Sequence, residues 1–172
     1  KLDMLENQVK IAYLGIGSNL GNKVRNIELA KFYLKKNNIF IEKASKHYET
    51  FSWPNKNKPK FVNVVLKIRT FFTPIELMKK CLKIEKLLGR SRNCKNEPRT
   101  CDIDIIDYDQ KIIKKRKNQS LNIPHPEMHK RNFVLLPLFE ITRDWVHPIK
   151  KTTIKDLVYS LKSEELSAIK LI

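Results

Sequence analysis

The chain has 172 residues, with 35 Lys plus Arg against 18 Asp plus Glu and a net charge of +17. That length suits one domain, residues 1–172, whose core needs no staples, and 41 % hydrophobic with 31 % charged residues excludes a disordered or fibrous chain. The charge points to an anionic partner: nucleic acid, an acidic membrane surface or a polyphosphate. It does not choose among them, because most of the excess is Lys spread along the chain.

No apolar run approaches the ~20 residues that span a bilayer, and no secretory signal pattern is present, so a cytoplasmic protein without a membrane partner is expected. Cys81, Cys94 and Cys101 are odd in number and lack Cys-x-x-Cys or Cys/His ligand spacing, which fits a reducing compartment. The chain starts at Lys1 rather than Met. A trimmed start or a preceding segment is therefore expected, with residues 1–8 as a flexible lead-in.

Val9 to Leu14 reads as a short buried strand, and Gly15 to Gly21 as a glycine-rich turn. Its Gly-x-Gly-x-x-x-Gly spacing matches neither the dinucleotide fingerprint nor the phosphate loop ending in Gly-Lys-Ser, so a structural turn is the better reading. Val24, Ile27, Ala30 and Leu34 recur at helical spacing and predict an amphipathic helix over 23–37. Ile39 to Tyr48 is a second strand candidate. Glu49 to Lys60 then reads as a long loop, and its Trp53-Pro54 argues for function rather than disorder.

Phe61 to Thr70 predicts a strong strand with Val62, Val64, Leu66 and Ile68 on the buried face. Phe61 and Asn63 share the opposite face, where a ring and an amide can stack on and hydrogen-bond a flat heterocycle. Taken alone, an ordinary half-exposed strand is the better reading of them. Thr73-Pro-Ile-Glu76 is a capping box that starts a helix, and Gly89 ends it. Leu77, Met78, Cys81, Ile84 and Leu88 form its apolar stripe. Glu85 falls inside that stripe, where a carboxylate needs a cation; Arg90, Arg92 and Arg99 are the candidates.

Gly89 to Thr100 is a basic loop that leads into Pro98-Arg-Thr-Cys-Asp-Ile-Asp-Ile-Ile-Asp-Tyr108, a strand by its β-branched content and alternation. Asp102 and Asp104 then face the same way, roughly 7 Å apart, while Cys101, Ile103 and Ile105 face a core. Two carboxylates side by side repel unless a cation lies between them, and hard oxygen ligands suit Mg²⁺ with substrate phosphates. An exposed sheet edge is the plainer reading, but the nearby Arg90, Arg92 and Arg99 favour the metal.

Lys111 to Asn118 reads as a solvated hairpin or loop. Ile123-Pro-His-Pro126 is a rigid loop that fixes His125, within reach of a phosphate beside Arg131 and Phe133, and a helix follows around 131–141. His47, His129 and His147 lack such a setting. Thr152 or Thr153 caps a last short helix through Leu161.

These stretches fall in a familiar order: Ala12 to Gly21, Tyr48-Glu-Thr50 with Phe61-Val-Asn63, Leu88-Gly-Arg-Ser-Arg92, Pro98 to Asp104, then Ile123-Pro-His-Pro126 with Arg131-Asn-Phe133. The chain resembles the 6-hydroxymethyl-7,8-dihydropterin pyrophosphokinases of folate biosynthesis over roughly residues 9–160. The resemblance implies an α+β, ferredoxin-like antiparallel sheet with helices on one face and active-site loops on the other. It implies pyrophosphate transfer from ATP to the pterin hydroxymethyl group, with release of AMP. By position, Asp102 and Asp104 match the ligands of two Mg²⁺ ions. Thr50, Asn63, Phe61 and Phe133 match the pterin contacts, and Glu85, Arg92, His125 and Arg131 match the ATP side. Arg90 and Arg99 match the catalytic cations that close over the phosphates. ATP and the pterin are the implied partners of a monomer, fused to or associated with another folate-pathway enzyme in some arrangements.

Several positions depart from that pattern. Leu82 replaces a frequent glutamine, Glu97 a small residue, Pro126 an aromatic one, and Phe51-Ser52-Trp53 a proline pair; the tryptophan some members carry before the Pro-Arg pair is missing. None touches the two acids. A basic nucleic-acid-binding module is the competing class, but Asp102 and Asp104 beside the stacking ring would repel a phosphate backbone; a metal-dependent nuclease also uses paired carboxylates and is separated by whether an oligonucleotide is cut with Mg²⁺ present.

Overall fold

The computed structural model describes residues 8–52, 55–90, 97–115 and 121–172. A single six-stranded antiparallel sheet organises them. In chain order its elements are β1 (Lys10–Ser18), α1 (Lys23–Lys36), β2 (Phe40–Ala44), β3 (Tyr48–Thr50), β4 (Phe61–Thr70), α2 (Pro74–Leu87) and β5 (Asp102–Tyr108). A 3-10 turn (Met128–Lys130), α3 (Asn132–Ile141), α4 (Ile154–Tyr159), α5 (Ser163–Ser167) and β6 (Ile169–Leu171) complete the chain. The strand order is β5-β1-β4-β3-β6, with β2 also paired to β4. This is the ferredoxin-like α+β arrangement expected from the resemblance.

The alternation of β4 divides the interior in two. Val62, Val64, Leu66 and Ile68 join Ile27, Ala30 and Leu34 of α1 and Leu77, Cys81 and Ile84 of α2 in one buried cluster. Val65, on the other face, packs with Tyr13, Ile106, Leu135, Leu138, Ile154 and Trp145. So α3 and α4 add a helical layer over part of the second face. The remainder of that face, toward the C-terminal end of β1, is left for the site.

Helix ends follow their local chemistry. Asn22 caps α1 by accepting from Arg25 N, and Thr73 with Glu76 forms the expected capping box of α2. Thr153, not Thr152, caps α4. Val24, expected in the buried stripe of α1, is exposed because it lies in the first turn, short of the sheet. Cys81 and Cys101 are free, and burial pushes both thiols up, Cys81 to about 12, so neither is reactive at neutral pH. Cys94 lies outside the described residues.

Four boundaries differ from the sequence reading. β1 does not stop at Leu14 but runs to Ser18, because Gly15 and Gly17 are paired on both sides, to β4 and β5. Ile39 to Tyr48 is broken at Ser45, whose backbone N–H and hydroxyl both bond Val65. Glu49 and Thr50 belong to β3, not to the loop, since that strand is flanked by β4 and β6. The chain also continues past the helix capped by Thr153 into α5 and β6, which closes the sheet beyond β3. In the Lys111 to Asn118 stretch, Ile113 pairs with Ile123 and Lys111, Lys114 and Lys115 are exposed. Residues 116–118 lie outside the described residues.

His147 is buried against Trp145, and its Nδ1 accepts from Ile149 N and Lys150 N at 3.2 Å each. Burial, aided by His129 and Lys150, lowers its pKa to about 4. The unfolded chain takes up this proton near pH 6.5. The folded protein resists until about 4, so stability should be lost as pH falls through that window. Melting curves should show the wild type losing on the order of 1–2 kcal/mol more than His147→Asn between pH 7 and 5, since an amide oxygen accepts without titrating.

Candidate active site

Antiparallel registry lays out the site in two rows. Asn63 of β4, Gly17 of β1 and Asp102 of β5 are cross-strand partners, and Val65, Gly15 and Asp104 form the next row. The amide and ring side is therefore separated from the acids by two strand spacings, about 10 Å. The strand between them carries only glycine at this height. A Cβ on Gly17 would come 3.1 Å from Asn63 Oδ1 and 3.4 Å from Phe61 Cδ1, so a side chain there would fill the space between the halves.

On the β4 side, Asn63 and Thr50 are buried, and Asn63 Nδ2 donates to Thr50 Oγ1 at 3.0 Å. That bond fixes the amide, leaving its Oδ1 over Gly17. On the β5 side, Glu85 is buried at 2 % exposure within the apolar stripe of α2 and accepts from Ile103 N at 2.7 Å. Its cation is Arg90: one guanidinium nitrogen binds Glu85 Oε1 and Asp102 Oδ1 together. Among the described candidates for Glu85, Arg90 is seated on it while Arg99 pairs with Asp102; Arg92 lies outside the described residues, as do Trp53 and Pro54.

Each acid also meets an arginine that lies over an aromatic ring. Arg99 Nε is 3.2 Å from Asp102 Oδ2, and its guanidinium sits 5.3 Å from the Phe61 ring centre. Arg131 Nη1 is 3.7 Å from Asp104 Oδ2 and lies 5.6 Å from the Phe133 ring centre. His125 Nε2 is 3.9 Å from the same Asp104 oxygen, held there by its backbone bond to Ile106 O. Among the described residues, the predicted acids, cations and rings thus form linked contacts, and Asn63 with Thr50 forms a second pair across Gly17.

The electrostatics of the acid pair suit a multivalent cation. Asp104 is hemmed in at the foot of the cleft, yet 46 % of its side chain stays open. Burial and then the neighbouring Asp102 raise its pKa, while His125, Arg131 and Arg90 hold it back. Burial also lowers His125, with Arg131 adding and Asp104 opposing, so the ring favours its neutral form. Its Nδ1 accepts from Glu127 N, which leaves the proton on Nε2, facing the acid.

One buried residue escaped the sequence reading. Asn19 is 3 % exposed at the end of β1 and bonds both flanking segments: its N donates to Arg99 O, its Oδ1 accepts from Arg99 N, and its Nδ2 donates to Ser52 Oγ and Pro59 O. Only its place in the Gly15 to Gly21 stretch hinted at a role.

A ferredoxin-like sheet with an acid pair ringed by arginines, beside a fixed amide and ring, defines an enzyme of phosphate-group transfer. Residues 13–143 match the family described as 7,8-dihydro-6-hydroxymethylpterin-pyrophosphokinase. The chain belongs to that family, whose activity is pyrophosphoryl transfer in folate biosynthesis. Among its relatives, the 2-amino-4-hydroxy-6-hydroxymethyldihydropteridine pyrophosphokinase of Aquifex aeolicus is 40 % identical over 84 % of this chain and 88 % of its own. The enzyme of the same name from Haemophilus influenzae is 38 % identical over 80 % and 84 %. The folic acid synthesis protein fol1 of Schizosaccharomyces pombe is 36 % identical over 90 % of this chain, which spans only 21 % of that protein. Wild-type HPPK-DHPS of Plasmodium falciparum with pteroate superposes with a TM-score of 0.75 at 16 % identity, over 96 % of this chain and 46 % of its own, a likeness of fold.

Proposed function

We propose that this chain carries pyrophosphate from ATP to the hydroxymethyl group of 6-hydroxymethyl-7,8-dihydropterin, releasing AMP, with Mg²⁺ at Asp102 and Asp104. The observation that carries the reading is the pair of cross-strand rows, with acids on β5 met by Arg90, Arg99 and Arg131, an amide and a ring on β4, and bare glycine between. Among the described residues no group of three or more His, Cys, Asp or Glu is placed to hold a metal. Two carboxylates with one edge open fit Mg²⁺, which takes one or two carboxylates and completes its shell with phosphate oxygens and water. Bound with the nucleotide, two such ions supply charge neutralisation along the triphosphate and activate the attacking hydroxyl.

The chain's own residues do the positioning, which is most of what such transfers need. Asn63 Oδ1 accepts from a ring N–H of the pterin, Thr50 supplies a hydroxyl, and Phe61 and Phe133 offer ring faces. Arg99 and Arg131, partly exposed, move from carboxylate to phosphate oxygens and stabilise the charge that develops as AMP departs. Arg90, at 10 % exposure, braces Asp102 and Glu85 from beneath. His125 donates from Nε2 to a phosphate oxygen, Glu85 supports the nucleotide side through Arg90, and Arg92 adds a further cation. No residue is assigned as general base.

Incubation with ATP, Mg²⁺ and the hydroxymethyl pterin should yield AMP; release of ADP, or no pterin dependence, rejects the reading. Salt-dependent binding or cleavage of a generic oligonucleotide would instead favour the nucleic-acid class. Gly17→Ala should raise the pterin KM about tenfold with the ATP KM little changed, since about 1.4 kcal/mol of ring affinity is a modest cost for a methyl between Asn63 and Phe61. Steady-state kinetics with each substrate varied in turn will check it.

A further inference from the structure

We propose that Asn19 is a positioning residue that couples the two halves of the site, setting Arg99 on the phosphate side through its carbonyl and the entry to β4 on the pterin side through its amide nitrogen. The inference rests on the reading just given of which half holds which substrate.

Asn19 is buried, at 3 % exposure, and every hydrogen-bonding group of its side chain leads to the site. Its backbone N donates to Arg99 O at 3.0 Å while its Oδ1 accepts from Arg99 N at 2.8 Å, a reciprocal pair with one residue. That pair fixes the backbone of Arg99, whose side chain spans Asp102 and the Phe61 ring. The amide Nδ2 donates to Ser52 Oγ at 3.3 Å and to Pro59 O at 3.2 Å. Ser52 follows Thr50 of β3 by two residues, and Pro59 precedes Phe61 of β4 by two, so this nitrogen sits where the chain leaves one pterin-side strand and enters the next.

One planar amide therefore sets the separation between Arg99 and the Thr50–Phe61 edge. Neither segment has regular secondary structure at these points. Their backbone groups depend on such side-chain partners, and a buried group left without one is costly. No isostere supplies both functions: Asp keeps the acceptor for Arg99 N but loses the donor, and Ala loses both.

The two bonds predict separable kinetics. Asn19→Ala should lower kcat by about tenfold to a hundredfold, the scale of an ångström-sized misplacement, and raise the pterin KM as well. Asn19→Asp should keep more of kcat than Asn19→Ala does while raising the pterin KM at least to the Ala level, because the acceptor for Arg99 N is kept and the donor gives way to an oxygen facing Pro59 O. Ser52→Ala, which leaves Asn19 intact, should raise the pterin KM by a smaller factor with kcat and ATP KM unchanged. If Asn19→Asp loses kcat as fully as Asn19→Ala, or Ser52→Ala leaves the pterin KM untouched, the coupling role is wrong. Failure of the functional reading is distinct: the wild-type protein itself would then release no pterin-dependent AMP.

Discussion

Asp104→Ala is expected to abolish release of AMP and to leave the protein folded. Asp104 is the more open of the two acids and stands in the row with Gly15 and Val65, away from the braced Glu85–Arg90–Asp102 group. If it holds metal against the triphosphate, its removal costs several kcal/mol of transition-state stabilisation, about 10³-fold or more in rate. For the fold the balance is small. The variant loses a long ion pair to Arg131 and the facing Nε2–H of His125 but also sheds the repulsion of Asp102, and partly exposed pairs contribute about 1 kcal/mol or less. A melting temperature near wild type together with lost turnover is the expected pair of results. Near wild-type release of AMP would reject the metal assignment.

Arg90→Ala is expected to cost both stability and turnover. Its guanidinium joins Glu85, buried at 2 %, to Asp102 across the packing of α2 on β5. Removing it leaves two carboxylates facing one another in low dielectric, and breaking a buried pair in this way costs about 3–5 kcal/mol. For a protein of this size that corresponds to a fall in melting temperature of roughly 10 °C. Turnover should fall as well, since Asp102 loses the contact that sets its rotamer. Arg90→Lys should recover part of the stability and less of the activity, because a flexible ammonium restores the charge between the acids but not the planar group that holds them at fixed angles. An unchanged melting temperature in Arg90→Ala would show that the brace is not structural.

How much of this was legible in the sequence depended on period. The two-residue alternation put Asp102 and Asp104 on one face of β5, and Phe61 and Asn63 on one face of β4; both pairs stand so. The helical period placed Glu85 inside an apolar stripe and demanded a cation, and several arginines qualified; the packing of α2 on β5 brings Arg90 onto it. What escaped lay where period carries no signal. Gly15 and Gly17 have poor strand propensity and read as a turn, yet pairing on both sides holds them extended. Asn19 lies outside any stripe, and its partners are 33 to 80 residues away. Ile169–Leu171 is too short to announce itself as a strand and exists because β3 offers it an edge.

That final strand has a practical corollary for anyone handling the protein. Thr50 pairs with Ile169, and Ile172 N donates to His47 O, so the last residues lie against the very strand that bears the Thr50 hydroxyl. A purification tag or fluorescent label attached after Ile172 would tug on β3, and assays of such material would carry whatever that load does to Thr50.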